Sequence, residues 1–506
     1  MSFSRGFFAV LILVPCLGAA TGGQVADAAK HLDKAAIRAM LDAKADVNAP
    51  SADGTTALHW AVRANDSEIV SLLLHANANP NASDRYGITP LYLAILNGNQ
   101  ALIRALLGAG ANPNVAGEGG ETPLMTAART GNTETLRALI DRGADVNARD
   151  KQTAQTALMW AVRGNHAAAV ELLLAHGADV NAQTLVGPTP PRRVPNAGGG
   201  SHGLGINRGG TPPRGSLDPT LGGLSALHYA VRDGYFEIAR MLVADHADVN
   251  QFEANGISPL FSAISNDHVE IAQYLLDHGA DPNPFDIWGR TALFEAVAVR
   301  NLEVNKTEDN GVDRPAMLGL IRALLDHGAN PNPRTLEQLP MRRWIMFVND
   351  ISWVDFSGQT PFLRAALSGD ITVMRLLLEH GANPNLGTYE GTTALMAAAG
   401  VNWAETQTYT ESKEHLLDAV KLCLELGADI NAANSMGLTA ALGAINRGSN
   451  DILTYLVEHG ARLDIKDKEG RTPKDWAEGV FLATVPPERK PETIALLEKL
   501  QAGKPQ

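Results

Sequence analysis

Residues 57–63 read ALHWAVR, and the heptad returns as ALMWAVR at 157–163 and as ALHYAVR at 226–232. An aromatic, a cation and sometimes a histidine at fixed spacing suit a reaction site, yet a reaction site is rarely built three times in one chain. What surrounds the heptad decides between chemistry and architecture. A Thr or Ser stands two residues before a Leu at Thr56, Thr89, Thr122, Thr156, Ser225, Ser258, Thr291 and Thr393, and Thr360 opens the related TPFL. An Asn closes stretches of the type GADVN or GANPN at Asn48, Asn81, Asn114, Asn147, Asn181, Asn250, Asn283, Asn332, Asn385 and Asn431. The first four of these Asn are 33 residues apart, the period of a helix-pair repeat.

Each unit explains itself physically. The Thr caps the first amides of a helix, and Pro in TPL suits the first helical position, where its missing N–H costs nothing. Alanines after it keep that helix thin. A short turn such as RTGNTE leads to a second helix with an apolar stripe, whose closing Gly suits the left-handed conformation. One such pair cannot cover its own apolar face, whereas stacked copies share a continuous core. With its TPLH-like starts and its period, the chain resembles the ankyrin repeat family from about Ala26 to Leu500. The resemblance implies an all-α ankyrin-repeat solenoid of about twelve helix-turn-helix units. It also implies a concave side that holds partners, and His59 and His228 bonding neighbouring loops. Leu58, Leu158 and Leu227 are expected to point into the stack, with Met125, Met159, Tyr92, Phe261 and Phe294 in the place of the two histidines. A catalytic base is not so freely exchanged, so the heptad is architecture.

The 506-residue chain is 45% hydrophobic and 19% charged, which fits an ordered protein, and its formal charge of −13 argues against a nucleic-acid partner. Arg5, an apolar run from Phe7 to Val14 and the small residues Gly18 and Ala20 have the layout of a secretory signal peptide over residues 1–20. The expected location is therefore secreted or periplasmic, with no membrane contact beyond the signal. Lipidation at Cys16 and an uncleaved N-terminal apolar stub are the alternative readings of that segment. Cys423, in AVKLCLELGAD, stands where sibling units carry a buried Leu, so a core thiol is expected.

The two markers also locate insertions. The expected organisation is a capping unit at 24–49, units at 50–182, and a Gly/Pro-rich flexible insertion at 183–222. Further units follow at 223–333, with an insertion about 301–316, then an aromatic loop at 334–355. Units at 356–466 carry an insertion about 401–414, and a C-terminal cap spans 467–500. The first insertion is expected to be a mobile arm, carrying Arg192, Arg193, Arg208 and Arg214 against Asp218. The aromatic loop, with Trp344, Phe347, Trp353 and Phe356, either folds back over the stack or exposes an anchor. The last adds Trp403 and Tyr409.

No site for chemistry emerges. His176, His278, His327, His380 and His459 precede a Gly one per unit, about 10 Å apart by helix-packing distances, too far to share a metal. Acidic residues are expected on solvated outer faces. An enzyme site in the late insertions has only Asp350, Asp355, Glu405 and His415 at unrelated spacing. The chain is therefore expected to be no enzyme, with no cofactor, no metal and no small-molecule substrate. It is expected to be a protein–protein interaction scaffold, the alternative being a regulatory or protective subunit of an exported enzyme. The candidate partner-binding residues are Trp60, Arg63, Arg129, Trp160, Arg163, Tyr229 and Arg232, aromatics and Arg being the types that dominate interface energetics. Trp160 and Tyr229 are expected to be outward-facing neighbours whose loss leaves unfolding nearly unchanged.

Overall fold

The Thr that opens each unit sets the local structure. Thr89, Thr122, Thr156, Thr291 and Thr360 hold extended backbone, and each hydroxyl accepts from the amide three residues on, at 3.2–3.4 Å. Pro90, Pro123, Pro259 and Pro361 follow at the first helical position. At Thr56 and Ser225 a histidine completes the cap. The Thr56 amide donates to His59 Nδ1 at 3.2 Å, and the Ser225 amide donates to His228 Nδ1 at 3.2 Å. The other ring nitrogen lies 2.9 Å from the Ile88 carbonyl and 3.3 Å from that of Ile257, one loop further on. A carbonyl only accepts, so Nε2 carries the hydrogen and both rings are neutral. Burial pushes both pKa values down, that of His228 to about 4.

The computed structural model describes residues 23–187, 222–301, 314–336, 354–401, 413–480 and 487–502. Among them are twenty-four helices in consecutive pairs, from Gln24–Lys30 to Pro491–Ala502, and no strand beyond one antiparallel bridge between Phe285 and Thr291. The expected signal segment, nearly all of the Gly/Pro-rich insertion, Trp344, Phe347, Trp353, Trp403, Tyr409, Asp350 and Glu405 lie outside the described residues. The chain divides into two compact units, residues 1–152 with 175–178, and residues 153–174 with 179–506. No described helix is long and apolar enough to cross a membrane.

Within each unit the same joints repeat. Leu58, Leu91 and Leu124 in the first, and Leu158, Leu227 and Leu260 in the second, are buried together with the Ala, and the Val, Ile or second Ala beside it, one helical turn on. Their second helices cover them with Leu73, Leu106 and Leu139, and with Leu173, Leu242 and Leu275. The Asn of nearly every marker then ties its helix pair to the following one. Asn81 Nδ2 donates to Gly110 O at 3.0 Å while Asn81 Oδ1 accepts from Asn112 N at 2.7 Å. Asn250 makes the same pair with Gly279 O at 3.0 Å and Asp281 N at 2.8 Å. Backbone bonds between successive loops, such as Arg85 N to Asp53 O and Ile287 N to Asn255 O, both 3.0 Å, run alongside. The second helices end as expected, with Gly279 at φ 88°, and Asn77 and His246 adopt the same left-handed conformation at 62° and 70°. The histidines beside these ends bond their own helices: Nδ1 of His278, His327, His380 and His459 lies 2.8–2.9 Å from the carbonyl four residues back. Cys423 is buried and its thiol is pushed up to about 12 by desolvation.

One expectation is corrected. Acidic residues do not all lie on solvated faces: Glu253, Asp286, Glu295, Asp370 and Asp467 are buried. The helices Ala292–Arg300, Pro361–Ser368 and Ala394–Ala399 are buried at every residue, so charges on them need partners within the chain. Glu295 accepts from Ser265 Oγ at 2.6 Å and faces Arg290 at 3.4 Å, Asp286 pairs with Arg290 at 2.7 Å, and Arg300 pairs with Asp370 at 2.9 Å. Arg364 donates to Ser368 Oγ and to the Asn301 carbonyl, both at 3.1 Å. Phe356, from the end of the aromatic loop, is buried as well.

Leu173 is fully buried, so Leu173→Ala is expected to cost about 2–5 kcal/mol, read as a lowered urea midpoint. The His228 ring is neutral in the folded chain and takes up a proton near 6.5 when unfolded, so its contribution is intact above 6.5 and lost between 6.5 and about 4. Over that fall in pH the stability of wild type relative to His228→Gln should drop by up to roughly 3 kcal/mol. A urea titration at several pH values measures it.

Candidate functional site

The candidate residues sit on first helices, whose Thr caps and buried Leu fix which positions remain outside the core. In the first unit, Trp60 and Arg63 belong to the helix Ala57–Arg63. Trp60 is partly exposed and Arg63 exposed. The Arg63 guanidinium lies 5.4 Å from the Trp60 ring centre, and Lys30 Nζ lies 5.3 Å from it, so one ring carries two cations. The indole nitrogen of Trp60 is buried and meets no acceptor among the described residues. Arg129 is placed differently: it is exposed and pairs with Glu121 at 3.6 Å.

In the second unit the candidates form a ladder. The helix Ala157–Arg163 supplies Trp160 and Arg163, and Ala226–Arg232 supplies Tyr229 and Arg232. The Arg163 guanidinium lies 5.0 Å from the Trp160 ring and 5.5 Å from the Tyr229 ring, and that of Arg232 lies 5.2 Å from Tyr229. Aromatic and cation alternate along four side chains, and Arg163 and Arg232 are exposed. Asp233 holds Arg232 at 2.8 Å and raises its pKa, so that guanidinium stays charged. The Trp160 indole nitrogen, like that of Trp60, is buried without an acceptor among the described residues.

Tyr229 corrects the expectation of an outward-facing ring. It is 5% exposed, and its hydroxyl accepts from Gln155 Nε2 at 2.9 Å. Gln155 in turn accepts from Arg163 at 3.2 Å, so the amide ties the ladder together from beneath. The neighbours on either side of Arg163 are thus one outward-facing and one core-facing aromatic.

Gln155 and Lys30 were not legible as site residues. Lys30 had a signal, for it stands 33 residues before Arg63 and so occupies the same place in its unit. Gln155 had none, because its part depends on a hydroxyl 74 residues away. Of the residues weighed for catalysis, Asp355 accepts from the Ser357 amide at 2.8 Å, in a turn, and His415 lies in the helix Lys413–Glu425. Among the described residues no group of three His, Cys, Asp or Glu is placed to hold a metal.

A family model described as ankyrin repeats (3 copies) matches residues 25–117, 102–184, 227–307 and 316–405. Over 136 residues the chain is 28% identical to the putative ankyrin repeat protein L86 of Acanthamoeba polyphaga mimivirus, a stretch covering 24% of either chain. Over 133 residues it is 35% identical to the putative ankyrin repeat protein YahD of Escherichia coli (strain K12), covering 25% of this chain and 60% of the relative. Both matches span less than two thirds of the relative's length. Among solved structures, the ankyrin repeat domain of Bcl-3, described as a member of the IkappaB protein family, aligns with 48% of this chain and 93% of its own at 26% identity, with a TM-score of 0.38.

The differing exposure within the ladder has a measurable consequence. Tyr229→Ala is expected to cost about 3–5 kcal/mol of stability, as for other buried aromatics, and Arg163→Gln less than about 1 kcal/mol. Urea unfolding of the two variants, compared with wild type, distinguishes the core-facing rung from the exposed one.

Proposed function

The chain belongs to the ankyrin repeat family, and on that premise we propose that it is an exported scaffold that binds another protein through the faces of its first helices. The observation that carries the reading is the Arg163 guanidinium laid between Trp160 and Tyr229, with Arg232 beyond. Aromatics and Arg contribute most of the binding energy in protein interfaces. Here they are held in place before any partner arrives, which lowers the entropy lost on binding. Trp60, with Lys30 and Arg63 against its ring, offers the same side-chain types in the first unit. Export is supported by Arg5, the apolar run from Phe7 to Val14 and the small residues after it.

The chain from Thr21 onward, used as bait against proteins of the exported fraction, tests the reading. A specific partner is expected, and Trp160→Ala combined with Arg163→Ala should weaken its capture by about tenfold or more at an almost unchanged melting temperature. Undiminished capture by a folded double variant would move recognition to another surface.

A further inference from the structure

We propose that what these faces take is acidic: at Trp60 and, separately, at Trp160, an Asp or Glu carboxylate of an extended polypeptide accepts from the indole N–H and pairs with the cations beside it. The proposal rests on the reading of the chain as a protein-binding scaffold and adds the chemistry of the partner.

The chain contains its own template for this contact. Trp476 stands four residues after Thr472, as Trp60 stands after Thr56 and Trp160 after Thr156. Its indole nitrogen donates to Asp467 Oδ2 at 3.0 Å, the same oxygen accepts from Arg471 Nε at 2.6 Å, and the Arg471 guanidinium lies 4.9 Å from the Trp476 ring. One carboxylate thereby satisfies an indole donor and a guanidinium that is already in contact with the ring. Ring and guanidinium are present at the other two positions with similar separations, 5.4 Å at Trp60 and 5.0 Å at Trp160, although the Arg comes from the end of the helix and not from its start. The carboxylate is what differs. Five residues before the capping Thr, where Asp467 stands in the last helix pair, the chain has Ser51 and Lys151.

What remains at both places is a set of donors. An indole nitrogen, an ammonium and a guanidinium only donate. Both indole nitrogens are buried without an acceptor among the described residues. Arg163 reaches only the neutral amide oxygen of Gln155 among the hydrogen-bond acceptors described, and Lys30 and Arg63 meet the Trp60 ring with no described carboxylate between them. A buried donor left unpaired is unfavourable, and a charge-assisted bond to a carboxylate is stronger than a neutral one. The cations that flank the rings are long and flexible, and Arg63 and Arg163 are exposed, so an incoming carboxylate can part them from the ring and pair with them in one movement. On a chain of formal charge −13, cations grouped about a ring in this way complement an acidic segment.

The seven Trp of the chain make the test direct. In proton–nitrogen correlation spectra of the full chain, the indole signals of Trp60, Trp160 and Trp476 are assigned through Trp→Phe variants, and a hexaglutamate peptide is added. The signals of Trp60 and Trp160 should shift saturably with hexaglutamate and stay in place with hexaglutamine, while that of Trp476 stays in place with both. Arg163→Gln should reduce the response of Trp160 severalfold and leave that of Trp60 intact. Unmoved signals, equal shifts with hexaglutamine, or a response to a thymidine oligonucleotide in place of the peptide would each overturn the proposal. If hexaglutamate moves nothing while the Trp160 and Arg163 double variant still loses the captured protein, the acidic partner is excluded and the scaffold stands.

Discussion

Two short helices joined by a tight turn expose more apolar surface than they cover, and everything else in the chain follows from how that surface is hidden. Each pair leans its Leu, Ala and Val against the next, so that Leu58, Leu91 and Leu124 are buried only because a neighbour is present. The Asn clamp makes the spacing of those neighbours definite. Its amide donates to a carbonyl at the end of the next second helix and accepts from an amide two residues further on. That satisfies polar groups a helix end would otherwise leave unpaired. The joint persists at three places where the chain between its partners is longer: Asn181 reaches His246 O, Asn283 reaches Gly328 O and Asn332 reaches Gly381 O, at 3.0–3.2 Å. At these three places the added residues lengthen loops and leave the clamp between pairs intact, consistent with the low entropic cost of longer loops.

Stacking of this kind leaves one position of the first helix without a fixed duty, the fourth after the capping Thr or Ser. It holds Trp60, Leu93, Thr126, Trp160, Tyr229, Ser262, Glu295, Arg364, Ala397, Gly443 and Trp476 in turn. Physical surroundings decide what each does. Glu295 and Arg364 are buried and hydrogen-bonded within the chain, a placement that specifies one packing more than it stabilises it. Gly443 lets the chain leaving the helix Ala394–Ala399 approach closely, for a β-carbon there would lie 2.9 Å from Val401 Cγ2. Trp60 and Trp160 remain partly exposed with cations against their rings, so there the position presents an aromatic face and positive charge to the outside.

The period, the helix pairs, the Thr caps, the terminal Gly and the buried thiol of Cys423 were all legible in the sequence. Each depends on residues close in the chain or on a register that repeats every 33 positions, so local preference and tertiary structure agree. The alternation of Trp160 and Arg163 was also legible as residue types in register. The same pattern misled at Tyr229, because the heptad treats it as equivalent to Trp160, whereas Gln155 caps its hydroxyl and the ring turns inward. The acidic residues misled for a related reason. A carboxylate reads as solvated unless its partner is known, and Asp370 has its partner at Arg300, 70 residues earlier.

The sequence by itself determined the family, the all-helical repeat and the side-chain types presented by each first helix, because periodicity is a property of the chain alone. Only the tertiary structure decided which of those side chains are satisfied within the chain and which are left as donors. Hydrogen-bond pairing and burial depend on groups that meet across units and insertions. Trp476 finds Asp467 and Trp160 finds no such carboxylate among the described residues, although the two stand at the same place in their repeats.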